Sequence, residues 1–198
     1  MGNVIGIDLG TTYSAMSTID ETGRPKIVTN SEGKNITPSC ILLTENKLEV
    51  GEEARRMFGL DDNTCGRFKR EMGKNIKLNL GNKEYSPADL SAVVLKKLKQ
   101  DAEKLIGEIS EAVVTIPANF NNEAREATMD AAKIAGLNVQ YIVNEPTAAA
   151  LYYAFEGGHE LGGIYAVYDL GGGTFDISII QVNGQDVDVI ATNGVQVL

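Results

Sequence analysis

Two short segments of the sequence carry residue types that could bind phosphate. Each begins with Asp-Leu-Gly at the end of an apolar, strand-like run and continues with small residues and threonine, at positions 8–12 and 169–174. Glycine lets backbone N–H groups approach an oxyanion closely, and threonine adds a hydroxyl donor. The aspartates, Asp8 and Asp169, could each hold a hydrated Mg²⁺, because this ion prefers oxygen ligands and keeps several waters. Two matching tips indicate an internally repeated phosphate site.

These tips must be positioned by strands, and each is predicted to join the first two strands of an antiparallel meander. The strand-like runs are residues 4–8, 13–19 and 26–29 in the first meander and residues 165–170, 175–182 and 186–192 in the second. The Asn-Gly pair at 183–184 is typical of a hairpin turn. The repeat therefore predicts a duplicated α/β architecture whose two halves face each other.

The region between the meanders is predicted to contain helices and further strands. Ser86, Pro87 and Asp89 have the residue types of a helix start, and an apolar stripe continues that helix to about Ile106. The other predicted helices are residues 51–58, 147–155 and a helix from the 119–122 loop to residue 135, and the predicted strands are residues 40–44, 47–50, 112–116 and 139–143. Residues 31–38 have the composition of a loop.

Composition and charge restrict the possible functions. The chain has 198 residues, of which 43% are apolar and 23% charged, as in a folded protein. The 18 Lys and Arg against 27 Asp and Glu give a net charge of −9, which opposes binding to nucleic acids and to anionic lipids. No apolar run approaches the ~20 residues of a membrane span, and no signal-peptide pattern is present. We expect a cytoplasmic protein that binds neither nucleic acid nor membrane.

Other common site chemistries find little support in the sequence. Cys40 and Cys65 are too few for a zinc site and are expected to be free thiols. The single histidine, His159, lies among glycines and is expected in an exposed loop, which excludes a Ser/His/Asp triad. The P-loop and dinucleotide-binding glycine patterns are both absent. A nucleotide would therefore be held between the two hairpins.

Six short motifs then follow one another along essentially the whole chain. They are Gly-Ile-Asp-Leu-Gly-Thr-Thr-Tyr-Ser at 6–14, Phe-Lys-Arg at 68–70, Ile-Pro-Ala-Asn-Phe-Asn at 116–121, Ala-Gly-Leu-Asn at 135–138, Asn-Glu-Pro-Thr-Ala-Ala-Ala at 144–150 and Asp-Leu-Gly-Gly-Gly-Thr-Phe-Asp at 169–176. Together they resemble the ATPase domain of the 70-kilodalton heat-shock chaperones of the DnaK type. The resemblance implies the α/β, actin-like ATPase (ribonuclease H-like) fold that is shared with sugar kinases, with ATP in a cleft between two lobes.

The resemblance also implies a division of the chain into subdomains. Residues 1–37 and 86–158 would form the main subdomain of a complete first lobe (IA-like), and residues 38–85 its small subdomain (IB-like). Residues 159–198 would begin the second lobe (IIA-like) with its first meander. We expect the chain to be truncated there, because the second unit lacks the helices that follow the first.

A truncated chain leads to two further expectations. Nucleotide affinity should be at least ~100-fold weaker than in an intact domain, with little or no hydrolysis. The second meander should be disordered or self-associate, because uncovered apolar faces and strand edges favour association. The apolar residues expected to lack cover are Val167, Ile177, Ile179, Val187 and Val189.

The resemblance assigns roles to individual residues. The residues given catalytic roles are Lys69, Asp8, Glu145 and Asp169. The residues given nucleotide contacts are Gly10, Thr11, Thr12, Tyr13, Gly171, Gly172, Gly173 and Thr174. Asp8 and Asp169 would hold the water shell of Mg²⁺ and nearby K⁺, Glu145 would complete this network, and Lys69 would reach the γ-phosphate. Taken alone, Lys69 would be interpreted as a solvated surface lysine.

Two further residues, Pro117 and Arg125, resemble the pair through which the family passes nucleotide state to its peptide-binding domain. Two departures from the family pattern affect this region and the small subdomain. Residues 70–85 are a shorter segment than is usual, which puts exchange-factor contacts there in doubt. Asn119 stands where the family often has an aromatic residue.

The leading functional prediction is the amino-terminal part of a chaperone that hydrolyses ATP to control the binding and release of unfolded peptides in the stress response. Its partners would be client peptides, bound through a domain outside this sequence, a J-domain co-chaperone and a nucleotide exchange factor. The alternatives are a sugar or acetate kinase of the same fold and a non-catalytic actin-like nucleotide-binding protein. Motifs 144–150 and 171–176 favour the chaperone.

Overall fold

The computed structural model describes residues 2–45, 47–157, 162–172, 174–184 and 186–195. The strands are β1 Asn3–Asp8, β2 Tyr13–Ile19, β3 Pro25–Val28, β4 Ile36–Pro38, β5 Cys40–Leu43, β6 Leu48–Val50, β7 Thr64–Gly66, β8 Leu78–Leu80, β9 Lys83–Tyr85, β10 Ile109–Ile116, β11 Val139–Asn144, β12 Gly162–Leu170, β13 Phe175–Asn183 and β14 Asp186–Val195. The helices are α1 Glu52–Met57, α2 Pro87–Ile106, α3 Asn122–Ile134 and α4 Glu145–Gly157, with a 3₁₀ turn at Phe68–Glu71. All strands and helices predicted from the sequence are present, most with ends shifted by one to three residues.

The main sheet is mixed, with the strand order β11-β10-β1-β2-β3 and β4 paired to β2. Strands β1, β10 and β11 run parallel, whereas β1, β2 and β3 form the predicted antiparallel meander. Because the three parallel strands point the same way, the residues that follow them come together at one edge of the sheet. An α/β fold with such a mixed sheet is consistent with the actin-like expectation.

Helices α2 and α3 form the hydrophobic core with this sheet. Ser86 caps α2 as predicted: its hydroxyl accepts a hydrogen bond from the Asp89 N–H, and the Asp89 carboxylate accepts one in return from the Ser86 N–H. The apolar stripe of α2 is fully buried through Leu90, Val94 and Leu98. These side chains pack in one cluster with β1 and β10, which fixes the strand ends that carry the site.

The small insert contains a three-stranded sheet, β6-β5-β7, and the β8-β9 hairpin. The sequence did not predict β4, β7, β8, β9 or the 3₁₀ turn, because elements of three or four residues depend on a pairing partner rather than on their own pattern. The turn is preceded by Arg67 in the left-handed conformation, with φ of 61°. Both cysteines are free thiols, as predicted, and burial raises the pKa of Cys40 to about 11.

The second meander is an ordered three-stranded sheet, β12-β13-β14, and helix α4 packs on one side of it. Val167, Val187 and Val189 pack against a buried cluster that includes Ala150 of α4. The expectation that these residues lack cover is therefore wrong for these three valines, because α4 contacts both sheets rather than the first alone. The outer side of β12 stays exposed at Ile164 and Leu170.

Among the described residues, no helix is long and apolar enough to cross a membrane.

Two sequence predictions fall outside the described residues. They are the loop position of His159 and the nucleotide contact of Gly173.

Candidate functional site

Three parallel strands end beside one another at the mouth of a cleft. Asp8 is the last residue of β1, Pro117 follows β10, and Glu145 follows β11. The register places Asp8 opposite Thr115 and places Ile116 opposite Asn144. The sheet thus brings together residues that are separated by more than 130 positions in the sequence.

The first tip, residues 10–13, is held by two serines. The Gly10 N–H donates to Ser14 Oγ at 3.2 Å, and Ser39 Oγ donates to the Gly10 carbonyl at 2.8 Å. A methyl group added at Gly10 would lie 1.9 Å from the Tyr13 carbonyl oxygen. Only glycine fits this tight turn, so the tip keeps its backbone conformation.

The second tip closes through a hydrogen bond from the Gly171 N–H to the Thr174 carbonyl, 2.9 Å long. It faces the first tip directly, since a methyl group added at Gly172 would lie 2.9 Å from Thr12 Oγ1. That hydroxyl is buried and has no hydrogen-bond partner among the described residues. The sequence predicted that two halves face each other, and the structure shows that the tips meet at the unpartnered hydroxyl.

Between the tips lies a cleft of about 230 Å³. The lining residues are Asp8, Gly10, Thr11, Thr12, Tyr13, Lys69, Arg70, Pro117, Asn119, Phe120, Glu145, Asp169, Gly171, Gly172, Thr174 and Asp176. Every described residue to which the sequence assigned a catalytic or nucleotide-binding role is among them. Of the two switch residues, Pro117 lines the cleft and Arg125 does not.

Lys69 is buried in this cleft and paired with an acid. Its Nζ lies 2.8 Å from Glu145 Oε1, and the two side chains are 7% and 17% exposed. The ammonium also lies 5.9 Å from the centre of the Phe120 ring. The interpretation of Lys69 as a solvated surface lysine is wrong, because the 3₁₀ turn directs it inward rather than along a helix face.

Carboxylates concentrate negative charge around this pair. Burial raises the pKa of the Glu145 carboxyl, the nearby Asp8 and Asp169 raise it further, and Lys69 opposes the rise. Thr115 Oγ1 donates to Asp8 Oδ1 at 3.3 Å and so orients that carboxylate. The cleft lining has four carboxylates, two more than the two cationic side chains, Lys69 and Arg70, can neutralise, which favours binding of a cation.

The donor set suits a magnesium ion held through water. Asp8, Asp169 and Glu145 supply the hard oxygen ligands that Mg²⁺ prefers. In the part of the chain that the structure describes, no three His, Cys, Asp or Glu side chains are spaced to ligate one ion directly. Contact through the ion's own waters, as expected for Asp8 and Asp169, is the arrangement that these carboxylates allow.

The sequence reading assigned no role to several cleft residues. Arg70, Phe120, Asn119 and Asp176 all line the cleft. Burial, together with nearby Arg67, lowers the pKa of Arg70. Arg70 and Phe120 each stand in a motif already noted, next to Lys69 and after Pro117, but nothing in their local pattern indicated which side of the chain they face.

Arg125 lies behind the cleft rather than in it. Its Nε donates to the Phe120 carbonyl at 3.3 Å and its Nη2 to Asn144 Oδ1 at 2.9 Å. Asn144 precedes Glu145, so the guanidinium joins the loop after β10 to the residue next to the buried ion pair. Arg125 thus contacts the cleft walls from outside.

Comparison with protein-family models agrees with this geometry. The family model described as Hsp70 protein matches residues 4–80 and 74–198, which together include nearly every residue of the chain. The family comprises chaperones that hydrolyse ATP on an actin-like fold. With its two glycine tips, its buried lysine and its strand-end carboxylates in one cleft, the chain belongs to the Hsp70 family.

Proposed function

We propose that this chain forms the phosphate-binding cleft of a chaperone ATPase and that its cleft binds ATP and ADP and hydrolyses ATP. The observation that carries the proposal is the pair of glycine tips that face each other across the buried Lys69–Glu145 pair. Their N–H groups and threonine hydroxyls are suited to phosphate oxygens. The unpartnered Thr12 hydroxyl, at the point where the tips meet, supports this assignment.

Magnesium is part of the proposal because the three strand-end carboxylates fit its water shell. When bound, the ion neutralises phosphate charge and so favours transfer of the γ-phosphoryl group. Asp8, oriented by Thr115, and Asp169 at the end of β12 would accept hydrogen bonds from its waters. Potassium enters the proposal through the family resemblance alone.

Lys69 and Glu145 are proposed to act on the reacting groups. The Lys69 ammonium would stabilise charge on the γ-phosphoryl group as the bond to the bridging oxygen breaks. Glu145, whose raised proton affinity favours accepting a hydrogen bond, would orient the attacking water. Water oxygen bonds to the γ-phosphorus, ADP leaves with the bridging-bond electrons, and one proton is released with phosphate.

The family and the contacts of Arg125 suggest how the cleft communicates with partners. Pro117 and Arg125 would report nucleotide state to a peptide-binding domain, because Arg125 joins the Phe120 carbonyl to Asn144 beside Glu145. We propose unfolded peptides as clients, a J-domain co-chaperone and an exchange factor as partners, and the stress response as the setting. The free thiols favour a cytoplasmic location.

Three proposals concern the chain of 198 residues itself. Its division into a first lobe at 1–158, with the small subdomain at 38–85, and the start of a second lobe remains our proposal, as does weak nucleotide affinity. The exposed apolar side of β12, with Ile164 69% and Leu170 74% exposed, supports self-association. Concentration-dependent light scattering tests this point.

The experiment that tests the function is phosphate release from ATP by the natural protein that contains this sequence. We expect turnover that rises when an unfolded peptide and a J-domain protein are added together. Transfer of phosphate to glucose or acetate instead of water would favour a kinase of the same fold. Nucleotide binding without turnover, with or without the peptide, would favour a non-catalytic actin-like protein.

A further inference from the structure

A hydrogen bond crosses the mouth of the cleft from the first sheet to the second. Asn119, in the loop after β10, donates from Nδ2 to Asp176 Oδ1, and the two atoms lie 2.9 Å apart. Asp176 is the second residue of β13 and lines the same cleft as Asn119. The bond therefore joins the loop that carries Pro117 to the strand that follows the second glycine tip.

The Asp176 carboxylate is confined from its other side as well. A methyl group added at Gly194 of β14 would lie 2.1 Å from the same oxygen, Asp176 Oδ1. The register pairs Asp176 with Asp169 on β12 and with Gly194 on β14. The carboxylate thus lies over a glycine that leaves room for it and meets the Asn119 amide at its open side.

An uncharged amide is well suited to this place. Asp176 faces the like charge of Asp169, so a carboxylate at position 119 would add repulsion, whereas an amide donates a hydrogen bond and adds no charge. An aromatic residue, as the family often has at position 119, would offer no amide donor to Oδ1. In this chain the donor of the hydrogen bond is therefore the residue that departs from the family pattern.

We infer that Asn119 is a positioning residue that clasps Asp176 and thereby holds the second glycine tip opposite the first. The inference rests on the proposed function for its link to nucleotide, but the clasp itself is a contact between the two sheets. Asn119 lies two residues from Pro117, so the clasp connects the proposed switch to the phosphate tip. Because the bond is exposed, each single change should have a moderate effect.

The test uses the 198-residue chain with three variants. They are Asn119→Ala, which removes the donor, Asn119→Asp, which opposes two carboxylates, and the exchange pair Asn119→Asp with Asp176→Asn, which restores an amide–carboxylate bond in the reverse sense. The control is Asn75→Asp, the same chemical change in an exposed loop. Thermal unfolding verifies that all four variants fold.

The first measurement is amide hydrogen exchange at residues 118–121 and 174–177 without nucleotide. We expect exchange about threefold faster in Asn119→Ala and about tenfold faster in Asn119→Asp, with recovery in the exchange pair and no change in the control. Exchange rates equal to wild type in both single variants, or no recovery in the exchange pair, would overturn the clasp.

The second measurement is the affinity for ADP with Mg²⁺ in the same proteins. Asn119→Asp should weaken ADP binding about tenfold and Asn119→Ala about threefold. If both single variants bind ADP as tightly as wild type although their amide hydrogen exchange is faster, the clasp does not position the tips and the inference is overturned. If the natural protein that contains this sequence does not bind Mg·ADP while exchange changes as expected, the proposed function fails and the clasp stands.

Discussion

Two largely buried carboxylates that pair with lysine in this molecule have pKa values shifted in opposite directions. Asp101 of α2 is fully buried between Lys97 and Lys104, and its carboxylate also accepts a hydrogen bond from the Ser31 N–H at 3.1 Å. Burial raises its pKa, but the hydrogen bonds from Lys97 and Ser31 outweigh burial and the net pKa is lowered. Around Glu145, burial prevails and the pKa is raised.

The difference lies in the companions of each acid. Asp101 Oδ2 accepts hydrogen bonds from Lys97 and from the Ser31 N–H, which favour the charged form of the carboxyl and tie the loop at Ser31 to α2. Its Oδ1 has no hydrogen-bond partner among the described residues and lies 3.5 Å from Lys104 Nζ. Glu145 lies near Asp8 and Asp169, whose negative charges oppose ionisation of its carboxyl. Lys69 alone does not compensate for them and for burial, so the pKa of Glu145 stays raised. We therefore expect the first pair to stabilise the fold and the second to keep charge that a ligand can neutralise.

The largest effect that distinguishes the pairs is expected at Lys69. Lys69→Ala should lower ATP hydrolysis by about 100-fold or more, because a donor to the transition state is lost, while nucleotide still binds. Single-turnover phosphate release and nucleotide affinity are measured side by side in the natural protein. The control is Lys74→Ala, an exposed lysine five residues away. Turnover within threefold of wild type would contradict the catalytic role.

The next effect concerns stability at Asp101. Asp101→Asn should lower the free energy of unfolding by about 2 kcal/mol, because Lys97 and the Ser31 N–H lose a charged partner inside the protein. Urea unfolding measures it, with the exposed Asp130→Asn as the control. Hydrolysis per folded molecule should stay at the wild-type value. A change below 0.5 kcal/mol would mean that this pair does not stabilise the fold.

A smaller effect is expected at the metal-facing carboxylates. Asp8→Asn or Asp169→Asn should raise the Mg²⁺ concentration for half-maximal hydrolysis about tenfold, since one fewer charge attracts the hydrated ion. A magnesium titration at fixed ATP measures the shift, with Asp188→Asn on the exposed part of β14 as the control. An unchanged requirement in both variants would exclude these carboxylates from the ion's surroundings.

The smallest effect is the pH dependence that Asp101 contributes. Its folded pKa lies below the unfolded value of about 4, so its stabilisation is fully present above that value and is lost as pH falls through the folded pKa. Asp101→Asn should therefore lose less stability than wild type between pH 5 and pH 2, where acids protonate. If the free energies of unfolding of wild type and Asp101→Asn fall equally between pH 5 and pH 2, the pKa of Asp101 is not lowered in the folded protein.

The comparison also shows what the sequence could predict. The two Asp-Leu-Gly tips, the Ser86 cap and the apolar stripe of α2 depend on neighbours within a few positions, so local pattern was sufficient. The burial of Lys69 was not visible locally, because it depends on a short 3₁₀ turn and on Glu145, which lies 76 positions away. Glu145 follows β11 of the main sheet and Lys69 lies in the turn of the small insert, so only the tertiary fold makes them neighbours.

The contacts between the two sheets were likewise hidden. Helix α4 was assigned to the first unit by its position in the sequence, yet it also packs on the second meander. The small residues of α4, such as Ala150, permit that contact but form no hydrophobic repeat that could be recognised in the sequence. Asn119 was noticed as a departure from the family, but its partner Asp176 lies 57 positions away.

The central claim is that the strand-end carboxylates and facing tips form one site for a magnesium-bound phosphate group. The most direct test is calorimetric titration of the 198-residue chain with ADP, in Mg²⁺ and again in EDTA, for wild type and the double variant Asp8→Asn with Asp169→Asn. We expect wild-type affinity to fall at least tenfold in EDTA, and the double variant to show this weak affinity under both conditions. Equal affinities for wild type in Mg²⁺ and EDTA would contradict the claim.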